Sequence, residues 1–185
     1  MNSTQTTIKR ARDVLGKPMS MAFIPLIGKS IVVGIITGLI VGVFRWIIDQ
    51  TMKLLMVVYP TMAAHPRYLL PYLIGTLVIG LLLSRVLKPY LRDLPGSGVP
   101  QIEAVLLGEH HMNAGQVLCR KFVGGLLAIC LGLFLGREGP CIQMGACIGQ
   151  LLGEHFTISE KEKRFLLECG VAAGLAAAFS APLAG

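Results

Sequence analysis

The chain has 185 residues, of which 54% are hydrophobic and 15% charged, and its mean hydropathy is +0.68. This composition excludes the mixed-charge surface of an ordinary soluble domain and indicates an all-α integral membrane protein. A formal net charge of +7 and a pI of about 9.4 raise the question of nucleic acid. The basic residues instead flank apolar runs, with no aromatic-interleaved basic stripe, so no nucleic-acid partner is expected.

Lys9, Arg10, Arg12 and Lys17 precede the first long apolar run and, by the positive-inside rule, place the N-terminus in the cytoplasm. Residues 1–30 read as a cytoplasmic amphipathic segment and 31–185 as the membrane domain. No small-residue cleavage site follows a short apolar core, so the N-terminus reads as mature. Ile31 to Ile48 predicts a first span, near whose end Arg45 and Asp49 stand at i,i+4 spacing, suited to an ion pair on one helical face. Met52 to His65 leads out to a loop rich in Pro60, Pro66 and Pro71. Tyr68 to Leu87 returns as a second span, with Lys88 and Arg92 marking a second cytoplasmic edge.

The next elements are short. Pro100 to about Leu107 predicts a half-helix, since a crossing helix needs about twenty residues. A polar loop, Gly108 to Gln116, precedes a span from Val117 to Leu135, and Pro140 to Leu152 predicts a second segment too short to cross unaided. A charged loop from Glu154 to Arg164 follows, where Ser159 and Glu162 have capping-box spacing that starts a helix near Glu160. Cys169 to Gly185 is almost wholly small or apolar, which suits close helix contact. It carries no polar tail, and the architecture reads as incomplete at that point.

Two pentads open the short segments: Gly96-Ser97-Gly98-Val99-Pro100 and Gly136-Arg137-Glu138-Gly139-Pro140. In each the proline is expected at the first helical position, where its missing N–H costs nothing, while the glycines turn the backbone and expose N–H groups. Two helix N-termini aimed inward would hold an anion, through free N–H groups and the positive ends of the helix dipoles. Lipid cannot satisfy such N–H groups, so the pentads mark a protein-lined cavity. The cysteines Cys119, Cys130, Cys141, Cys147 and Cys169 lack Cys-x-x-Cys spacing and read as small buried hydrophobes. His110 and His111 read as a solvated loop; as metal ligands they lack a third partner, so no metal or cofactor is expected. No metalloprotease motif, phosphate loop with lysine, or nucleophile with its base occurs, which argues against an enzyme.

These pentads, together with Lys121-Phe122-Val123-Gly124-Gly125 and the run Ala176-Ala177-Ala178-Phe179-Ser180-Ala181-Pro182-Leu183-Ala184-Gly185, resemble the CLC family of chloride channels and proton-coupled chloride exchangers. The resemblance covers nearly everything after the lead-in, about the first half of the family's membrane domain. It implies the first part of an inverted-repeat fold with broken, re-entrant helices, in a multi-pass protein of the cell's inner membrane. It also implies chloride and protons as transported ions, voltage-gated-type channel or exchanger activity, and a homodimer in the lipid bilayer.

By the same resemblance Glu138 is the gating glutamate, which occupies an anion site when charged and swings away when protonated. Ser97 offers its hydroxyl to a central chloride, and Gly96, Gly98, Val99, Gly136, Arg137 and Gly139 complete the anion-binding set. The Arg137 side chain acts as an electrostatic or packing partner. The residues agree for Glu138, because an ionisable group at membrane depth is costly and lines a pathway rather than facing lipid. The alternatives are that Glu138 only pairs with a neighbouring cation such as Arg137, and that Ser97 serves only as a turn or cap residue. Serine at this position favours chloride, whereas proline there is associated with nitrate. Val99 stands where isoleucine is common and Ser180 where asparagine is common. The family's Gly-x-Phe-x-Pro motif, pore tyrosine and internal proton glutamate belong to later residues. The alternative is a truncated, non-conducting membrane subunit that modulates full-length partners.

Overall fold

In a computed structural model, residues 23–88, 93–94, 96–133, 135–156 and 158–181 are described, and among them every regular element is helical. Most of the amphipathic segment and residues 182–185 of the final motif lie outside that set. The first helix, α1, runs unbroken over Phe23–Ala64 for 42 residues, well past the expected end near Ile48. Residues 50–59 contain no breaker, and Pro60 comes too late to stop the helix. The Thr61 hydroxyl donates to the Val58 carbonyl at 2.7 Å, so the distorted last turn keeps a hydrogen bond. A short 3-10 turn, Pro66–Tyr68, reverses the chain into α2, Leu69–Leu87. Among the described residues only α1 and α2 are long and apolar enough to cross a membrane by length and composition.

Helix α3, Val99–Leu107, has nine residues, about 14 Å, and is a half-helix as expected. The next helix, α4, spans Ala114–Cys130 and stops short of Leu135. Gly132 adopts φ +84° there, and a Cβ on it would lie 2.2 Å from the Tyr59 hydroxyl, so the helix must turn off where only glycine fits. Helix α5 covers Glu138–His155, 18 residues or about 27 Å, longer than the expected Pro140–Leu152. Pro100 and Pro140 occupy the second and third residues of their helices rather than the first. The whole first turn lacks intrahelical N–H partners, so proline is tolerated throughout it.

Helix α6, Glu160–Phe179, begins at the predicted capping box: the Ser159 side chain accepts from the Glu162 N–H, and Glu162 accepts from the Ser159 N–H at 2.8 Å. The Ser159 hydrogen bonds hold Glu162 below the ordinary carboxylate range, and the hydrogen bond from Lys163 does the same for Glu160. A lowered folded-state pKa gives stability that is present above the unfolded pKa and lost as pH falls through the folded one. Amide exchange in the first turn of α6 should therefore accelerate on acidification. Ser159→Ala should already show fast exchange at neutral pH and only a weak acid step; an unchanged profile would remove the cap from the account.

The core forms around α5, whose residues 143–150 are all buried. Cys141 and Met144 join Val41, Phe44 and Ile48 of α1, Ile129 of α4 and Ala178 of α6 in one cluster. Against α6 the contact is made by backbone. A Cβ on Gly145 would lie 2.1 Å from the Gly170 carbonyl oxygen, and one on Gly149 would lie 2.3 Å from that of Leu166. Gly145, Gly149 and Gly153 on α5 and Gly170 and Gly174 on α6 repeat every fourth residue, which puts each set on one helical face. By contrast α2 has no buried residue. The cysteines are free thiols; Cys141 and Cys147 are buried as expected, whereas Cys119 is exposed because it lies on the outer face of α4.

Candidate anion site

The loop before α3 is shaped by partners that hold its carbonyls. Gln143, fully buried on α5, donates through Nε2 to the Asp93 carbonyl at 2.7 Å; Lys121 Nζ, on α4, donates to Leu94 and Gly96 carbonyls at 2.7 and 3.0 Å. With three carbonyls committed to these donors, the chain turns through Gly96 at φ +69° and Gly98 at φ +80°. A side chain at Gly98 would also collide with Gln143 at 2.4 Å. Asp93 is fixed from a second side by His110, whose Nε2 lies 2.7 Å from its carboxylate. Thus His110 is half-buried and paired rather than solvated, whereas His111 is exposed. Among the described residues no group of three metal-ligating side chains occurs.

The two pentads meet. A Cβ on Gly139 would lie 2.7 Å from Ser97 Cα, so the first turn of α5 rests directly on the Ser97 backbone. A cavity of about 450 Å³ opens beside this contact, lined by Gly96, Ser97, Arg120, Lys121, Gly136 and Gly139 together with Pro140 and apolar residues of α2, α4 and the adjoining loops. The exposed Ser97 hydroxyl has a long contact, 3.4 Å, with the Val99 N–H and is otherwise open. Gly98, Val99, Arg137 and Glu138 do not line the cavity. Gly98 is turned onto Gln143, and Val99 is exposed at the start of α3.

Glu138 is the first residue of α5, and its Oε2 lies over Gly136, where a Cβ would come within 2.9 Å. Among the described residues its carboxylate makes no hydrogen bond or ion pair. Arg137 pairs with Asp49 of α1 at 2.6 Å, so neither the Arg137–Glu138 pair nor the Arg45–Asp49 pair forms. Arg45 instead donates to the Ala177 carbonyl and, at 2.6 Å, to the Ser180 hydroxyl. Ser180 caps α6 at φ +53°, a left-handed conformation that asparagine adopts more readily than serine.

Lys121, Gln143 and Asp49 were not singled out as site residues by sequence. The available signal was polarity in otherwise apolar helical runs, since lipid penalises such side chains unless they face protein or a pathway. Spacing could not reveal their partners, which lie 25 to 88 residues away.

An all-helical membrane protein in which a half-helix and a buried helix bring glycine-rich N-termini together is the class these features define. The chain belongs to the voltage gated chloride channel family, whose model matches residues 77–185. It is 34% identical over 194 residues to the H(+)/Cl(-) exchange transporter ClcA of Vibrio cholerae, covering 96% of this chain and 39% of that protein. The Salmonella schwarzengrund protein of the same name is 34% identical over 183 residues, covering 95% of this chain and 38% of its own length. The chain therefore spans about two fifths of these relatives. The crystal structure of a slow cyanobacterial Cl-/H+ antiporter superposes with a TM-score of 0.74 at 36% identity, covering 85% of this chain and 37% of the other.

Proposed function

We propose that this chain supplies the first part of a chloride pathway in a proton-coupled exchanger. The contact of Gly139 with the Ser97 backbone carries the reading, because it brings two helix N-termini to one protein-lined cavity. Free N–H groups and helix dipoles there replace part of the hydration a chloride gives up, and the Ser97 hydroxyl adds a donor. Glu138 stands at the edge as a carboxylate that competes with the anion when ionised and withdraws when protonated. The exchange activity named for the relatives favours exchanger over channel.

Orientation follows from charge. Lys29 lies over the Phe156 ring, which puts the start of α1 beside the α5–α6 connection, where Lys161, Lys163 and Arg164 also stand. This positive end faces the cytoplasm, in a bacterial-type inner membrane, by the positive-inside rule.

The test uses native-length protein in liposomes and anion-selective efflux. Wild type is expected to pass chloride, and Ser97→Pro to lose about tenfold in chloride-over-nitrate preference, near the contribution of one charge-assisted hydrogen bond. Equal relative permeabilities in both proteins would remove Ser97 from the anion site; no anion flux in wild type would reject the transport reading.

A further inference from the structure

We propose that Asp49 is a positioning residue for the Glu138 gate, acting by holding Arg137 away from the carboxylate. This rests on the reading of Glu138 as the gate. Arg137 immediately precedes Glu138 and is the nearest guanidinium in sequence, yet it is drawn to α1 and bound to Asp49 at 2.6 Å. One turn earlier on α1, Arg45 is held by the Ala177 carbonyl and the Ser180 hydroxyl at the end of α6. A single turn of α1 therefore fixes Arg137 and directs Arg45 away from it. Glu138 is left free to exchange between an anion-like position and a withdrawn one.

The charged and titratable groups around it are few. From α1 come Arg45 and Asp49; from the cap of α5 comes Arg137 and from α5 itself Cys141, the latter within electrostatic reach of Arg45, Arg137 and Glu138. Helix α4 contributes Lys121 and Arg120, both in the cavity that Gly136 and Gly139 also line; the Lys121 ammonium is committed to loop carbonyls, and Arg120 donates to the Gln116 side-chain carbonyl at 2.9 Å. Helix α6 contributes only the carbonyl and hydroxyl already named. A guanidinium released from Asp49 is thus the change best placed to favour the ionised carboxylate.

The test is the pH dependence of chloride efflux from liposomes carrying native-length protein. Asp49→Asn frees Arg137 for Glu138 and moves the pH of half-maximal flux down. Arg137→Gln leaves Asp49 as an uncompensated negative charge and moves it up. The Asp49 and Arg137 side chains are 48% and 37% exposed, so solvent screening limits each shift to about half to one pH unit. On the titrating limb this is about three- to tenfold in flux at fixed pH. The double variant returns close to wild type, and Asp49→Glu keeps the wild-type midpoint.

A purely structural pair would lower yield or maximal flux and leave every midpoint in place, which overturns the proposal, as do single-variant shifts of the same sign. Should Asp49→Asn yield no folded protein, an upward shift in Arg137→Gln with retention in Arg137→Lys supports the same coupling, and an unmoved midpoint there rejects it. Glu138→Gln separates the two levels. Persisting pH dependence in that variant rejects the gate itself, whereas a flat profile there beside unmoved Asp49 and Arg137 variants rejects only the role given to Asp49.

Discussion

On the proposed gate, Glu138→Gln in native-length protein is expected to make chloride flux indifferent to pH, over a range in which the wild-type rate is expected to climb on acidification. Glutamine keeps the shape of the protonated acid and cannot carry charge, so the variant is fixed in the state that leaves the anion site vacant. A one-proton gate changes flux up to about tenfold per pH unit on its titrating limb, and the variant should change less than about twofold over the same interval. The fold is not at stake in the substitution. The guanidinium next door is already engaged by Asp49, so no buried cation loses its partner. What is lost is the attraction of a carboxylate to the N-terminus of α5, about 0.3–1 kcal/mol, too little to unfold a core built around that helix. Stopped-flow or electrode recordings of efflux at several pH values decide the matter; a retained acid limb would sink the gate.

Gly149→Ala should be strongly destabilising although it improves helix propensity. In an exposed helix the change gains about 1 kcal/mol. Here the new methyl carbon would stand 2.3 Å from the Leu166 carbonyl oxygen and 2.8 Å from Leu167 Cα, both backbone atoms that cannot rotate away. Helices α5 and α6 would have to part by more than about an ångström along a face where their backbones already touch at Gly145 and Gly149. Overpacking of this kind costs about 1–3 kcal/mol and more where backbone must move, so the net loss should be about 2 kcal/mol. Gly80→Ala on α2 provides the contrast, since nothing lies within 4 Å of its added carbon. Thermal denaturation in detergent should show a lower midpoint for the first variant and an equal or higher one for the second. Equal midpoints would mean that the glycine face is not what holds α5 to α6.

Much of this architecture was legible because it is written in local chemistry. The half-helix followed from a short apolar run between Gly98 and Gly108, both of which adopt left-handed conformations at its ends. The start of α6 followed from Ser159 and Glu162 alone. Convergence of the pentads was readable from their glycines, since only a cavity within protein accommodates such exposed backbone in lipid. Boundaries set by distant atoms were not readable: Gly132 ends α4 because the Tyr59 hydroxyl occupies the space a side chain would need. Ion pairs went the same way. Arg45 and Asp49 satisfy the i,i+4 rule, yet each has a tertiary partner, and partners from α5 and α6 outcompete an exposed intrahelical pair whose contribution is a few tenths of a kcal/mol.

The braces on the Ser97 loop also bear on how the protein is made. The carbonyls of Leu94 and Asp93 are held by side chains 27 and 50 positions further along the chain, so the loop leaves the ribosome before its partners exist. Helices α5 and α6, joined by a short capped connection, can associate as soon as both are synthesised, as neighbours in sequence do. The loop before α3 is consequently a late product of biogenesis. It acquires its shape only when α4 and α5 lie beside it, and a nascent chain halted before Gln143 would carry every residue of the first pentad without that shape.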